Sequence, residues 1–148
     1  MKPFTQIQTA KIKGYFILLD IDGTLTYDSG TDMSADTKKK VSELKAQNEI
    51  VLCSNRNDHV RNRKVADILN VKYLETNHRK PSKKILKTFK TKNPLLVIGD
   101  KFLTDGYFAK RIKADLVMVK RIRSAKETWV SKGIYLIDDT FARIFHRN

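Results

Sequence analysis

Acidic residues are scarce in this chain of 148: 16 Asp and Glu stand against 30 Lys and Arg, a formal charge of +14. Apolar residues still make up 41% and charged residues 31%, which excludes a disordered tail and fits one folded domain, 1–148, with a real core. There is one cysteine, Cys53, so no intrachain disulfide and no cysteine-based zinc cluster can form. That suits the cytoplasm or another reducing compartment, and Cys53 lies in a strand-like run where an inert core thiol is expected. No apolar run approaches the roughly 20 residues of a membrane span; the longest, 15–19 and 95–98, have the length of buried strands. Repeats and low-complexity segments are absent. His59, His78 and His146 show no ligand spacing and are expected at the surface.

The charge is unevenly placed. Residues 56–92 hold twelve Lys and Arg and three acids, a surplus of nine of the fourteen positive charges in a quarter of the chain. A focused positive field draws anions: phosphorylated metabolites, the anionic surface of a membrane, or nucleic acid. Solvated helix faces account for it equally well. The first 19 residues carry Lys2, Lys11 and Lys13 and no acid. They lack the arginines and clean apolar core of a targeting signal, and residues 1–14 read as a lead-in to the first strand.

Short apolar runs at 15–19, 50–53, 71–74, 95–98 and 116–119 alternate with helix-length amphipathic stretches. One helix is expected from a Ser34 cap through Val41 and Leu44 to Ala46, and a second over 58–69 with Val65, Ile68 and Leu69 on one face. A third begins at Pro81 and buries Ile85, Leu86 and Phe89. A fourth, over 105–112, pairs Phe108 with Ile112. This alternation predicts an α/β fold, a three-layer Rossmann-like open sheet of about five parallel strands. Segment 124–148, with Trp129, an apolar run at 135–137, and Phe141, Ile144 and Phe145 at helical spacing, is expected to pack on the sheet or form an amphipathic segment.

Ligands of open α/β sheets sit beyond the carboxyl ends of the strands, and polar residues follow four of the five apolar runs. The first is followed by Asp20-Ile21-Asp22-Gly23-Thr24. Residues two apart leave a strand on the same side, and two carboxylates so close need a cation, a shared proton or a strong network. Gly23 permits a sharp turn, and Thr24 offers a hydroxyl. Ser54-Asn55 follow the second run just before a helix, as a phosphate cradle or as plain caps. Lys80 follows the third, where an ammonium can meet a phosphoryl group. Gly99-Asp100 and Thr104-Asp105 follow the fourth. Asp100 can complete a hard-cation site with Asp20, while Thr104 and Asp105 are also candidates to cap the next helix, Asp105 orienting its neighbours.

These motifs, in this order, resemble the haloacid dehalogenase (HAD) superfamily over roughly residues 15–122. The resemblance implies a magnesium-dependent phosphatase. Asp20 would be the nucleophile, forming an aspartyl-phosphate, and Asp22 the general acid and base. Mg²⁺ would be held by Asp20, Asp100 and the main-chain carbonyl of Asp22, with Thr24, Ser54, Asn55 and Lys80 on the phosphoryl group and Gly23, Thr104 and Asp105 in support.

Only residues 27–49 separate the first motif from the second strand, so no cap domain is expected and the site should stand open to large or membrane-embedded substrates. Within the superfamily the pattern is similar to the branch of phosphatidylglycerophosphate phosphatases, which implies an anionic phospholipid substrate met peripherally at a membrane surface. That branch commonly carries Asn where this chain has Gly23. Glycine there is usual in relatives acting on sugar phosphates and polynucleotide ends, so soluble phosphatase readings stay open beside a non-catalytic phosphate-binding or phospho-accepting module. The oligomeric state is not legible.

Overall fold

The computed structural model describes residues 1–123 and Asp138. The apolar and aromatic residues singled out in 124–148 lie outside the described residues. Strand β1 (Lys2–Pro3) opens the chain and β2 (Phe16–Leu19), buried along its whole length, takes the middle of the sheet. β3 (Glu49–Leu52) and β5 (Leu95–Gly99) flank β2; β4 (Lys72–Tyr73) lies outside β3, and β6 (Asp115–Lys120) outside β5. The order across the sheet is β1-β6-β5-β2-β3-β4, and every pairing is parallel.

A parallel sheet needs both faces covered, and the period-two alternation of the strands divides the core accordingly. Ile17, Leu19, Ile50, Leu52, Leu96 and Ile98 face one layer, packing with Val41 and Leu44 of α1 (Ala35–Lys45) and Val65 and Leu69 of α2 (His59–Leu69). Phe16, Leu18, Val51, Cys53 and Val97 face the other, with Ile85 and with Phe108 and Ile112 of α3 (Tyr107–Ile112). Each large side chain so buried contributes about 2 kcal/mol. Ser34 caps α1 by accepting from the Thr37 N–H, and Asp58 caps α2 by accepting from the Arg61 N–H. α2 ends on Asn70 and α3 on Lys113, both in the left-handed conformation.

Three expectations need correction. The lead-in is more than a connector: β1 pairs with β6 and makes a sixth strand, and Phe4 beside it is fully buried. The helix expected from Pro81 is a six-residue 3-10 turn, Lys83–Thr88. The Thr88 hydroxyl folds back onto the Ile85 carbonyl, and Phe89 turns extended to stack on Phe16, which stops the turn while still seating Ile85, Leu86 and Phe89 against the core. Thr104 and Asp105 do not cap the fourth helix. They lie within a π turn, Phe102–Gly106, that runs into α3, because the Asp105 carboxylate points back under the sheet edge.

Between β2 and β3 the chain holds a loop and α1, and between β3 and β4 only α2; no cap domain occurs among the described residues. No helix among them is long and apolar enough to cross a membrane. Register then sets up the site. Leu19 lies opposite both Leu52 and Ile98, so β2 and β3 stop on one line, β5 runs one residue further to Gly99, and their following residues emerge at one sheet edge.

Candidate active site

Asp20 is the first residue past β2 and is only 5% exposed. One carboxylate oxygen accepts from the Lys80 ammonium at 2.6 Å and the other from the Thr24 hydroxyl at 3.4 Å. Lys80, beyond β4, also donates to Asp105 at 2.5 Å. Asp100, at the end of β5, accepts from the Thr24 hydroxyl at 3.2 Å. Asp20, Asp100 and Asp105 thus converge, one oxygen from each lying within 4.8 Å of the others. Asp20, Asp22, Lys80 and Thr104 line part of a cavity of about 370 Å³.

Three buried carboxylates face two buried cations, Lys80 on Asp20 and Asp105 and Arg121 on Asp100, which leaves negative charge in excess. Burial pushes the Asp20 carboxyl up to about 7; Lys80 works against the rise, and Asp105 and Asp100 add to it. Burial likewise raises Asp100, opposed by Lys101 and Arg121. For Lys80 burial acts against the charge, yet Asp105 and Asp20 outweigh it and hold the ammonium above the ordinary lysine range. Hard anionic oxygens with a surplus of negative charge are the donor chemistry of a hard divalent cation, and this cluster is compatible with such a site. The turn that admits it depends on Gly23, whose φ is +88° and where a Cβ would collide with the Asp100 carboxylate. Gly99 is equally constrained, since a Cβ there would fall on the Asp105 side chain.

Asp22 stands apart from that cluster. Its carboxylate accepts from the Ser29 N–H at 2.9 Å and the Ser54 hydroxyl at 3.2 Å. Arg61 grips it with a fork, Nη1 to one oxygen at 3.1 Å and Nη2 to the other at 2.9 Å. The Lys101 ammonium approaches the Asp22 main-chain carbonyl at 3.4 Å. Asn55 spends both ends of its amide on the Lys80 backbone, accepting from its N–H at 2.6 Å and donating to its carbonyl at 2.9 Å. Its first job is therefore to hold Lys80 in place. Asp105 accepts from the Lys101 N–H at 3.2 Å and the Thr104 hydroxyl at 3.4 Å. Cys53 is buried, and its thiol is pushed up to about 11 by that burial, as befits an unreactive core residue.

The sequence reading missed Arg61, Arg121 and Asp138. Arg61 is buried on the same α2 face as Val65 and Leu69, and a charge at an otherwise apolar helical position was the available signal. Arg121 follows β6 as Asp20 follows β2, and it grips an Asp100 oxygen through Nε. The rule that polar residues after strands carry chemistry would have found it. Asp138 accepts from the N–H groups of Phe102 and Leu103 at 3.0 and 2.8 Å and from Arg121 at 3.4 Å; nothing in its sequence neighbourhood announces this.

Among known proteins, no curated sequence and no solved structure matches the chain. A protein family does match: residues 2–124, which take in all six strands, three helices and every residue of the carboxylate cluster, fit the mitochondrial PGP (phosphatidylglycerophosphate) phosphatases, and the chain belongs to that family.

Proposed function

We propose that this protein is a Mg²⁺-dependent phosphomonoesterase that removes the terminal phosphate of phosphatidylglycerophosphate through an aspartyl-phosphate on Asp20. The observation that carries the reading is the position of Asp20: buried, yet lining an open cavity, paired with Lys80 and facing two more carboxylates. Family membership supports phosphatase chemistry and this lipid.

In the proposed reaction an Asp20 carboxylate oxygen attacks phosphorus, forming one O–P bond as the bond to the glycerol oxygen breaks. Asp22 gives the departing oxygen its proton and afterwards takes one from the water that cleaves the aspartyl-phosphate. The Lys80 ammonium and the Thr24 and Ser54 hydroxyls stabilise the phosphoryl oxygens as they gain charge. Asn55 keeps Lys80 aimed, and Asp105 keeps it charged. Mg²⁺ held by Asp20, Asp100 and the Asp22 carbonyl would supply the positive charge that lets a carboxylate approach a phosphate. An open mouth, with no cap domain among the described residues, suits a headgroup presented peripherally at an anionic membrane surface.

The test is phosphate release from phosphatidylglycerophosphate in mixed micelles, a hexose phosphate and an oligonucleotide with a terminal phosphate, each with and without Mg²⁺. Metal-dependent turnover favouring the lipid is expected. Asp20→Asn should abolish it, and Asp22→Asn should slow it by about 10²–10⁴-fold. Turnover that survives in Asp20→Asn would sink the mechanism, and a preference for the sugar or the oligonucleotide would sink the substrate.

A further inference from the structure

The basic residues around the cavity fall into two groups that the chain treats differently. Lys80 and Arg61 are buried and tightly committed, Lys80 at 2.5 and 2.6 Å to two carboxylates and Arg61 through its fork on Asp22 and bonds to the Gly30 carbonyl. Arg56, Arg79 and Lys101 line the cavity, as Lys80 does and Arg61 does not, but stand at its rim. Arg56 and Arg79 are exposed, and the Lys101 side chain is 27% exposed. Their contacts are long: Arg56 Nε lies 3.5 Å from Asp22, Arg79 Nε 3.4 Å from the Asn57 amide oxygen, and Lys101 Nζ 3.4 Å from the Asp22 main-chain carbonyl and 4.0 Å from Asp28. At such distances, near water, the two guanidinium groups spend little of their charge on the protein, and Lys101 divides its own between Asp22, Asp28 and the mouth.

These three cations leave three separate loops, after β3, β4 and β5, and converge on one opening. The phosphoryl subsite on the floor has its own cation in Lys80, and a cavity of about 370 Å³ exceeds what one phosphoryl group fills. Two guanidinium groups and an ammonium make the donor set that grips a phosphate oxyanion.

From this we infer that Arg56, Arg79 and Lys101 form a second anion subsite, and that it selects phosphomonoesters carrying a phosphodiester one glycerol unit away. The inference rests on the phosphatase reading above and deepens it: the floor performs the reaction, and the rim reads the diester. Specificity for a doubly anionic headgroup then resides in the protein's own mouth, without a cap domain and without the acyl chains.

The test separates the subsite from the chemistry by measuring binding without turnover. Asp20→Asn protein is titrated calorimetrically with deacylated headgroup, glycerophosphoglycerophosphate, and with glycerol phosphate, which lacks the diester. Binding of the first should be tighter by on the order of tenfold. Adding Arg79→Gln and Lys101→Gln should erase the preference, whereas Lys84→Gln with Lys87→Gln, exposed changes outside the cavity, should leave it intact at the same net charge. Equal affinity for the two ligands overturns the inference, as does a preference that survives loss of Arg79 and Lys101. A preference confirmed here while the wild type releases no phosphate from any substrate would refute the phosphatase reading and leave the subsite standing.

Discussion

Arg61 shows how much of a site can depend on a buried side chain that does not line its cavity. Its guanidinium joins the Asp22 carboxylate to the Gly30 carbonyl and to the Asn62 side chain, tying the loop after β2 to α2. Arginine suits this place because a planar fork fixes the angle of a carboxylate as well as its position, which a lysine does not. Breaking a buried pair by deleting one member strands the other charge, at a cost of about 3–5 kcal/mol. Arg61→Met should therefore lower the unfolding free energy read from urea titration by about that amount. Arg61→Lys should keep most of the stability but lower kcat more than it changes KM, since Asp22, the proton-transferring group of the proposed mechanism, is no longer held at its angle. Wild-type kcat in Arg61→Lys would reduce Arg61 to a packing residue.

Elements differ in how plainly the chain declares them. The three central strands β2, β3 and β5 could be read from their apolar runs because they are buried on both faces, β4 and β6 from shorter or less buried runs of β-branched and apolar residues, and α1 and α2 because their caps and apolar stripes coincide. β1 could not: it is two residues long, one of them Pro3, and it exists through pairing with β6 at the far end of the described chain. Phe4 anchors it, so Phe4→Ala should cost about 3–5 kcal/mol and speed exchange of the β6 amides; a loss below about 1 kcal/mol would show the strand to be dispensable. The turn at Lys83–Thr88 was misread for a related reason. Its apolar spacing suits a helix, but what ends it is the stacking of Phe89 on Phe16, a partner remote in sequence. The site was legible where chemistry follows a strand, as at Asp20, Lys80 and Asp100. It was illegible where a residue acts across the sheet edge from outside that pattern, as Asp138 does.

At the scale of the whole molecule the charge of +14 acts outward, while the interior ion pairs are insulated from solvent. Raising salt from 0.1 to 1 M shortens the screening length from about 10 to about 3 Å. Association with vesicles of anionic lipid, followed by co-sedimentation, should fall steeply over that range. The melting temperature should move little, because Lys80 and Arg121 meet their partners where salt cannot reach. Vesicle binding indifferent to salt would mean the surface charge has no part in it. The same two buried cations bear on the life history of the molecule. Three acids crowded into one dry space would ordinarily make folding wait for an ion. Here the chain brings its own counter-charges, Lys80 for Asp20 and Asp105 and Arg121 for Asp100. Under the proposed mechanism a newly made copy thus reaches its final shape on its own cations, and the supply of the ion then governs when it works rather than whether it folds.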